Sequence, residues 1–255
     1  MHVRKTTTAI VTGKPIALGG SRGRTEATGR GVMFIAREGL KKLGLKPQDA
    51  RVVVQGSGNV GGIGAMLMHR EGYKIVAMSD QYGAIQNDAG LDVPAVLAHI
   101  KKTGKILGFA GAKEVEGGRK ILETPCDVLV PAAVENQITS ENAHLINTKL
   151  IVEGANGPCT AKASKMLDDR GIMVVPDILA NAGGVTVSYF EWVQDRMGYF
   201  WSEQRVNNSL EQVMVKSFED VAAVAQKYNV SMRIAAYILS IDRVSTVYRL
   251  RGVFA

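Results

Sequence analysis

Val52-Val53-Val54-Gln55-Gly56-Ser57-Gly58-Asn59-Val60-Gly61 is the stretch on which the fold turns. Three β-branched residues lead into G-x-G-x-x-G, and Met66, Leu67 and Arg70 continue as a helix that closes near Gly72. A second apolar run, Ile75-Val76-Ala77-Met78, ends at Ser79-Asp80. The order strand, glycine turn, helix, strand is a βαβ unit of about 30 residues. In that setting each glycine has a physical task. Gly56 permits the tight turn, Gly58 lets the backbone approach a pyrophosphate, and Gly61 allows close packing of helix on strand. The helix N-terminus adds unpaired N–H groups and the positive end of its dipole. Asp80 stands 24 residues after Gly56, where a carboxylate can accept a hydrogen bond from a ribose hydroxyl; its competing reading is a turn or cap residue. An acid there favours NAD over NADP, because it repels a 2′-phosphate, and Gln81 and Tyr82 supply no compensating cation. A basic residue brought from elsewhere would keep NADP possible.

The same alternation extends outward. Upstream, Val32, Ile35, Ala36, Leu40 and Leu43 share one helical face, and Gly44 stops that helix. Residues 1–24 read as an irregular leader rich in Thr, Gly and basic side chains, in which Lys14 is a solvated turn lysine. Downstream, Asp92 caps a helix with Pro94 in its first turn. Val128-Leu129-Val130, Leu150-Ile151-Val152 and Met173-Val174-Val175 are continuous apolar runs, the form of strands buried on both faces of a parallel sheet. Helices are expected at about 160–169 and 179–195, then over 203–228 and 231–250. The fold class is α/β, a doubly wound Rossmann-type domain with C-terminal helices.

Composition narrows the class. The 255 residues carry 46% hydrophobic and 22% charged side chains, those of a globular chain with a sizeable core. No apolar run approaches the ~18 residues of a membrane helix, and the start lacks the apolar stretch of a signal peptide. Cys126 and Cys159 stand apart, which excludes a disulfide framework or a Cys-rich zinc module and suits a reducing, cytoplasmic compartment. The net charge of +7 resembles a nucleic-acid signature, but 11 basic and 3 acidic residues fall in residues 1–51, and the remainder is nearly neutral. The leader through residue 33 holds no aromatic side chain on which a base could stack, so a nucleic-acid partner is not expected.

Ligands of doubly wound sheets bind outside the carboxyl ends of the strands. Three polar clusters fall there: Pro131–Asn136, Glu153–Pro158 and Pro176–Val185. Each contains an Asn, whose amide both donates and accepts and so suits a carboxamide or a hydroxyl; turn and cap roles are the competing reading. The four histidines are scattered, and no Ser/His/Asp arrangement, H-E-x-x-H pair or metal spacing appears. These residues make a cofactor site without an evident acid–base pair.

At this level of detail the sequence resembles a known family. Gly13-Lys14-Pro15, the run Gly19-Gly20-Ser21-Arg22-Gly23-Arg24-Thr25-Glu26-Ala27-Thr28-Gly29-Arg30-Gly31-Val32, Gln55–Gly61, Pro131-Ala132-Ala133, Glu153-Gly154-Ala155-Asn156 and Asn181-Ala182-Gly183-Gly184-Val185 are similar to the coenzyme domain of glutamate dehydrogenases. Ser188-Tyr189-Phe190-Glu191-Trp192 and Met232–Tyr237 continue the likeness, which spans essentially the whole chain. Leucine, phenylalanine and valine dehydrogenases share the fold, but their opening segment usually lacks the form seen at Arg24–Gly29. Ser57 departs from the phenylalanine common in the family.

The resemblance implies reversible NAD(P)-dependent oxidative deamination of L-glutamate to 2-oxoglutarate and ammonia. It implies that Arg24, Thr28, Asn59, Asp80, Ala133, Asn156 and Asn181, with Gly56, Gly58, Val60 and Gly61 of the glycine loop, line the dinucleotide site. Val185 and Ser188 would face the substrate, Ser188 near its side-chain carboxylate. No catalytic residue or metal ligand is expected within the chain, because the family carries its catalytic lysine and aspartate on an N-terminal domain. The expected division is a leader or hinge over 1–24 from that domain, a dinucleotide-binding domain over 25–195 and C-terminal hinge helices over 196–255. Met1 would then lie inside a linker and the chain would be truncated; of the basic excess in the leader, the first helix and the linker to the first strand, Arg22 and Arg24 would approach a cofactor phosphate and the other charges would face the missing domain. Full-length members form homo-oligomers, typically hexamers. The alternatives are a non-catalytic NAD-binding regulatory module and a dehydrogenase of leucine, phenylalanine or valine.

Overall fold

The computed structural model describes residues 7–252. After a leader with two single-turn 3-10 segments at Thr8–Ile10 and Ile16–Leu18, the chain enters helix α1 (Ala27–Lys42). Strand β1 (Arg51–Gln55), helix α2 (Gly61–Arg70) and strand β2 (Lys74–Ser79) form the βαβ unit read from the glycine pattern. Then follow β3 (Ala84–Gln86), α3 (Val93–Thr103), β4 (Lys113–Val115), β5 (Val128–Pro131), β6 (Leu150–Val152), α4 (Ala161–Asp169) and β7 (Met173–Val175). Four helices close the chain: α5 (Asp177–Ala180), α6 (Gly183–Met197), α7 (Glu203–Tyr228) and α8 (Met232–Arg251).

The seven strands lie in the order β4-β3-β2-β1-β5-β6-β7. Strands β2, β1, β5, β6 and β7 run parallel to one another, whereas β3 pairs antiparallel with both β2 and β4. The sheet is therefore mixed, with an antiparallel edge outside the expected parallel strands. The predicted helix at 179–195 is two helices, because Asn181 and Ala182 interrupt it at the rim of the sheet.

Helices cover both faces of the sheet, which explains the uninterrupted apolar runs. Val52, Val54, Val128, Val130, Leu150 and Val152 point into a core with α1, α2, α3, α7 and the start of α8. The intervening Val53, Leu129 and Ile151 point into the opposite core with α4 and the turns near Ile121 and Ala143. Each buried aliphatic side chain contributes roughly 1.5–3 kcal/mol through loss of contact with water. Helix α1 sits close to two neighbours because glycines line it. A Cβ at Gly29 would lie 2.7 Å from the Gly64 nitrogen of α2, and one at Gly31 would lie 3.0 Å from Cα of Gly183 in α6. Val206, Leu210, Met214, Phe218 and Val221 of α7 share the core with α1, so this helix is built into the same body as the sheet. Among the described residues, no helix is long and apolar enough to cross a membrane.

Candidate dinucleotide and substrate clefts

Chain order and sheet order together locate the site. β2 lies on one side of β1 and β5 on the other, so the connections diverge at the carboxyl ends of β1 and β5 and leave a crevice. Gln55, at the end of β1, is in register with Ser79 of β2 and Pro131 of β5. The glycine loop crosses this crevice. Gly56 adopts φ +95°, and a Cβ on it would lie 2.8 Å from the Ala132 carbonyl oxygen. A Cβ on Gly61 would lie 1.9 Å from the Gly56 carbonyl oxygen, so only glycine lets the helix start this close to the strand. Around Gly58 nothing lies within 4 Å of the same position, and the space above the loop is open.

Helix capping sharpens the picture. α3, α4, α7 and α8 begin at Asp92, Thr160, Ser202 and Ser231, whose side chains each accept an N–H of the first turn. α1, α2 and α6, whose first turns border the crevice, have no side-chain cap. Ala27, Gly62 and Gly184 donate to backbone carbonyls of the preceding loops, no side chain competes for the remaining first-turn donors, and the dipoles favour an anion there.

Two clefts meet at Ala132, Ala133 and Val134. The first, about 590 Å³, is bordered by Gly56, Gly58, Asp80, Arg119 and Gln137. The second, about 670 Å³, is bordered by Arg24, Thr28, Val60, Asn156, Asn181 and Ser188, with Val185 beside them. Thus eleven of the thirteen residues expected at the site border these two clefts. Asn59 instead borders a separate 270 Å³ hollow with Glu26 and Arg70, on the outer side of α2. Gly61 is buried under the loop as a packing glycine.

In the first cleft Asp80 serves its own turn. Its Oδ1 accepts from the Tyr82 and Gly83 nitrogens at 2.7 and 3.1 Å, and its Oδ2 accepts from the Ile106 nitrogen at 2.6 Å. The turn role is thus observed, and the residue also borders the cleft. Gln55 is 3% exposed; its Nε2 donates to Gln137 Oε1 at 2.8 Å, while its own buried Oε1 has no partner. A buried acceptor without a partner costs about 1–3 kcal/mol, and a ligand donor in this cleft would remove that cost. Nothing in the local sequence marks Gln55, Gln137 or Arg119, because their placement depends on strand ends meeting.

In the second cleft Arg24 Nε donates to Ser188 Oγ at 2.8 Å, across 164 residues of sequence. Asn181 Nδ2 donates to Asn156 Oδ1 at 2.6 Å, so two of the three strand-end asparagines form a pair; Asn136 does not border the cleft. Glu153, fully buried just before this loop, accepts from the Asp177 nitrogen at 2.9 Å and is ion-paired with Arg233 of α8. That pair ties the C-terminal helices to the floor of the site. No lysine or histidine is among the described residues bordering either cleft, and no cluster of described residues could hold a metal ion.

Two expectations about charge are corrected. Lys14 is not solvated: its side chain is 10% exposed, and its Nζ lies 2.6 Å from Glu191 Oε1 and 2.8 Å from Asp195 Oδ2, both fully buried. The basic excess of the first 51 residues is also partly neutralised within the chain. Arg37 pairs with Glu211, Arg51 with Asp88, and Lys14 with two acids of α6.

Comparisons with known proteins agree with this geometry. The family model described as Glutamate/Leucine/Phenylalanine/Valine dehydrogenase matches residues 19–252. A glutamate dehydrogenase of Thermotoga maritima is 51% identical over all 255 residues, which cover 61% of that protein. A catabolic NAD-specific glutamate dehydrogenase of Bacillus subtilis is 48% identical over 95% of the chain and 57% of its own length. Among solved structures, glutamate dehydrogenase from Peptoniphilus asaccharolyticus superposes with a TM-score of 0.83 at 42% identity, over 95% of this chain and 57% of that one. The leucine-bound hetero-hexameric enzyme from Thermus thermophilus gives 0.91 at 35% identity, over 97% of this chain and 58% of that one. The chain thus spans about three fifths of the length of these relatives. With sequence similarity and fold in agreement over nearly every residue, the chain belongs to the glutamate/leucine/phenylalanine/valine dehydrogenase family.

Proposed function

We propose that the chain is the coenzyme-binding part of an NAD-dependent glutamate dehydrogenase, which interconverts L-glutamate with 2-oxoglutarate and ammonia. One observation carries the reading: the open glycine loop and the Arg24–Ser188 pair lie in two clefts that meet at Ala132–Val134. A dinucleotide has that shape, with its adenosine in one cleft and its nicotinamide in the other. The residues fit the group, because Gly58 stands in open space, the α2 N-terminus is uncapped, and Gln55 Oε1 is buried without a donor.

In this reading Gly58 and Val60 carry the pyrophosphate on backbone N–H groups, with Gly56 making the tight turn on its bonds to Ser79, Gly61 packing the loop onto the strand and Asn59 beside it. Asp80 and Ala133 border the adenosine; Thr28, Asn156 and Asn181 hold the nicotinamide end. NAD supplies the hydride acceptor, and the protein's part is to orient it and exclude water. Arg24 orients the Ser188 hydroxyl, which can donate to a substrate carboxylate, while Val185 closes the apolar side. A polar pair at that position supports glutamate over leucine, phenylalanine or valine, as do the names of the similar proteins. Self-assembly is part of the proposal, supported by the exposed apolar side chains Ile241, Val244 and Leu250 on α8. A reducing compartment suits the two free thiols.

Fluorescence titration with NADH tests the reading. The 255-residue chain is expected to bind NADH, with L-glutamate-dependent NADH formation weak or absent, since the described residues bordering the two clefts include no lysine or histidine to move protons. Absence of NADH binding by the folded chain would overturn it.

A further inference from the structure

We propose that Arg119 makes the ribose end of the first cleft accept the 2′-phosphorylated dinucleotide, NADP(H), as well as NAD(H). The proposal rests on the dinucleotide reading of that cleft and adds a specificity-determining residue to it. Sequence spacing leaves Asp80 facing the ribose without a cation nearby. The fold supplies one. A Cβ on Gly118 would lie 2.8 Å from the Asp80 carbonyl oxygen and 3.6 Å from that of Gly83, so the loop before Arg119 rests directly on the turn after β2. Arg119 and Asp80 therefore border one cleft, and Arg119 is the only lysine or arginine among the described residues bordering it.

The guanidinium is anchored and still has donors to give. Nε donates to the Gln137 carbonyl oxygen at 3.0 Å and one Nη to Thr139 Oγ1 at 3.4 Å. Two of five N–H groups are used, and the others remain for an anion. The anchors fix the direction of the fork before a ligand arrives, so less side-chain freedom is lost on binding. Asp80 opposes a phosphate less than an unengaged acid would. Three backbone N–H groups already point at its two oxygens, which occupies most of about four lone-pair positions. One position remains for a ribose hydroxyl, and Arg119 borders the same cleft as the cation for a phosphate. The residue is exposed, so the expected preference falls with salt.

The experiment titrates the 255-residue chain with NADH and with NADPH at low ionic strength, following nicotinamide fluorescence. NADPH is expected to bind within about tenfold of NADH, and Arg119→Gln to weaken NADPH by about tenfold or more while NADH changes less than about twofold. Arg119→Lys, which keeps the charge and loses the fork, falls between. 2′,5′-ADP is expected to displace NADH from the wild type and not from Arg119→Gln. If NADH binds and NADPH does not, or if Arg119→Gln weakens both alike as the loss of a mere strut would, the proposal is overturned while the cleft stays a dinucleotide site. If neither dinucleotide binds the folded chain, both readings fail.

Discussion

Replacing Lys14 by alanine tests how the leader is held to the body of the protein. The ammonium lies between Glu191 and Asp195 at 2.6 and 2.8 Å, and both carboxylates are fully buried. A solvent-exposed ion pair contributes at most about 1 kcal/mol. Removing one partner of a buried pair costs about 3–5 kcal/mol, because the remaining charge stays out of water. Here the lower end applies, since Glu191 keeps the Gly13 and Lys14 backbone N–H groups at 2.9 and 3.2 Å. About 3 kcal/mol is expected for Lys14→Ala, which lowers Tm by about 6–12 °C at about 2–4 °C per kcal/mol for a chain of this size. Urea unfolding followed by circular dichroism measures it. The effect also has a pH signature. Burial pulls Lys14 down, but hydrogen bonds and attraction from Asp195 and Glu191 outweigh it and hold the ammonium above its ordinary 10.5. Burial pushes Glu191 up, and Lys14 with the two backbone donors outweighs it and holds the carboxyl below its ordinary 4.5. A raised folded value stabilises below the unfolded value and is lost as pH rises through it; a depressed one stabilises above the unfolded value and is lost as pH falls. The gap between wild type and variant should therefore be level between pH 4.5 and 10.5 and shrink outside that window. A loss under about 1 kcal/mol, or a gap that changes around neutrality, would refute the buried-pair account.

Two glycines of one loop should respond in opposite ways. Gly61→Ala puts a Cβ 1.9 Å from the Gly56 carbonyl oxygen and should cost about 3 kcal/mol or more, read as lost Tm. Gly58→Ala meets nothing within 4 Å and should change stability by less than about 1 kcal/mol, yet weaken NADH by about tenfold or more in a fluorescence titration, because the methyl stands where the pyrophosphate approaches. Burial pushes the Cys126 thiol up to about 12 and the Cys159 thiol well above its ordinary value, the latter helped by Glu153. Both should resist a thiol-reactive disulfide reagent at pH 8 and react only as the protein unfolds; fast labelling of the native chain would contradict this. Arg233→Met leaves Glu153 buried without its cation and should cost about 3 kcal/mol in urea unfolding, with weaker NADH binding because Glu153 precedes the loop bearing Asn156.

The division between what could be read and what could not follows the range of the interactions. The βαβ unit, the capped start of α3, and the spans of α7 and α8 are set by neighbours a few residues apart, and periodicity and capping chemistry report them directly. β3 and β4 escape that reading because Ala84–Gln86 and Lys113–Val115 lack the unbroken apolar run that marks β6 and β7 at the same length. The break in the helix expected at 179–195 comes from Asn181, whose side chain turns to Asn156 across 25 residues.

For the site, the glycines and Asp80 could be placed from spacing alone, since a loop that must turn tightly and open toward an anion admits few residues. The role of Asp80 within that site could not, because the nitrogen of Ile106 reaches it only after the chain has returned to the same edge. Lys14 reads as an exposed lysine because its partners lie 177 and 181 residues away, and nothing beside Arg119 in the sequence marks it, since only the fold sets Gly118 against the turn after β2. Local sequence therefore carried the family and the shape of the dinucleotide loop. Closure of the sheet decided which charges are buried, which are spent and which still face the cleft, because those partners are brought together across 25 to 181 residues and leave no mark on their immediate neighbours.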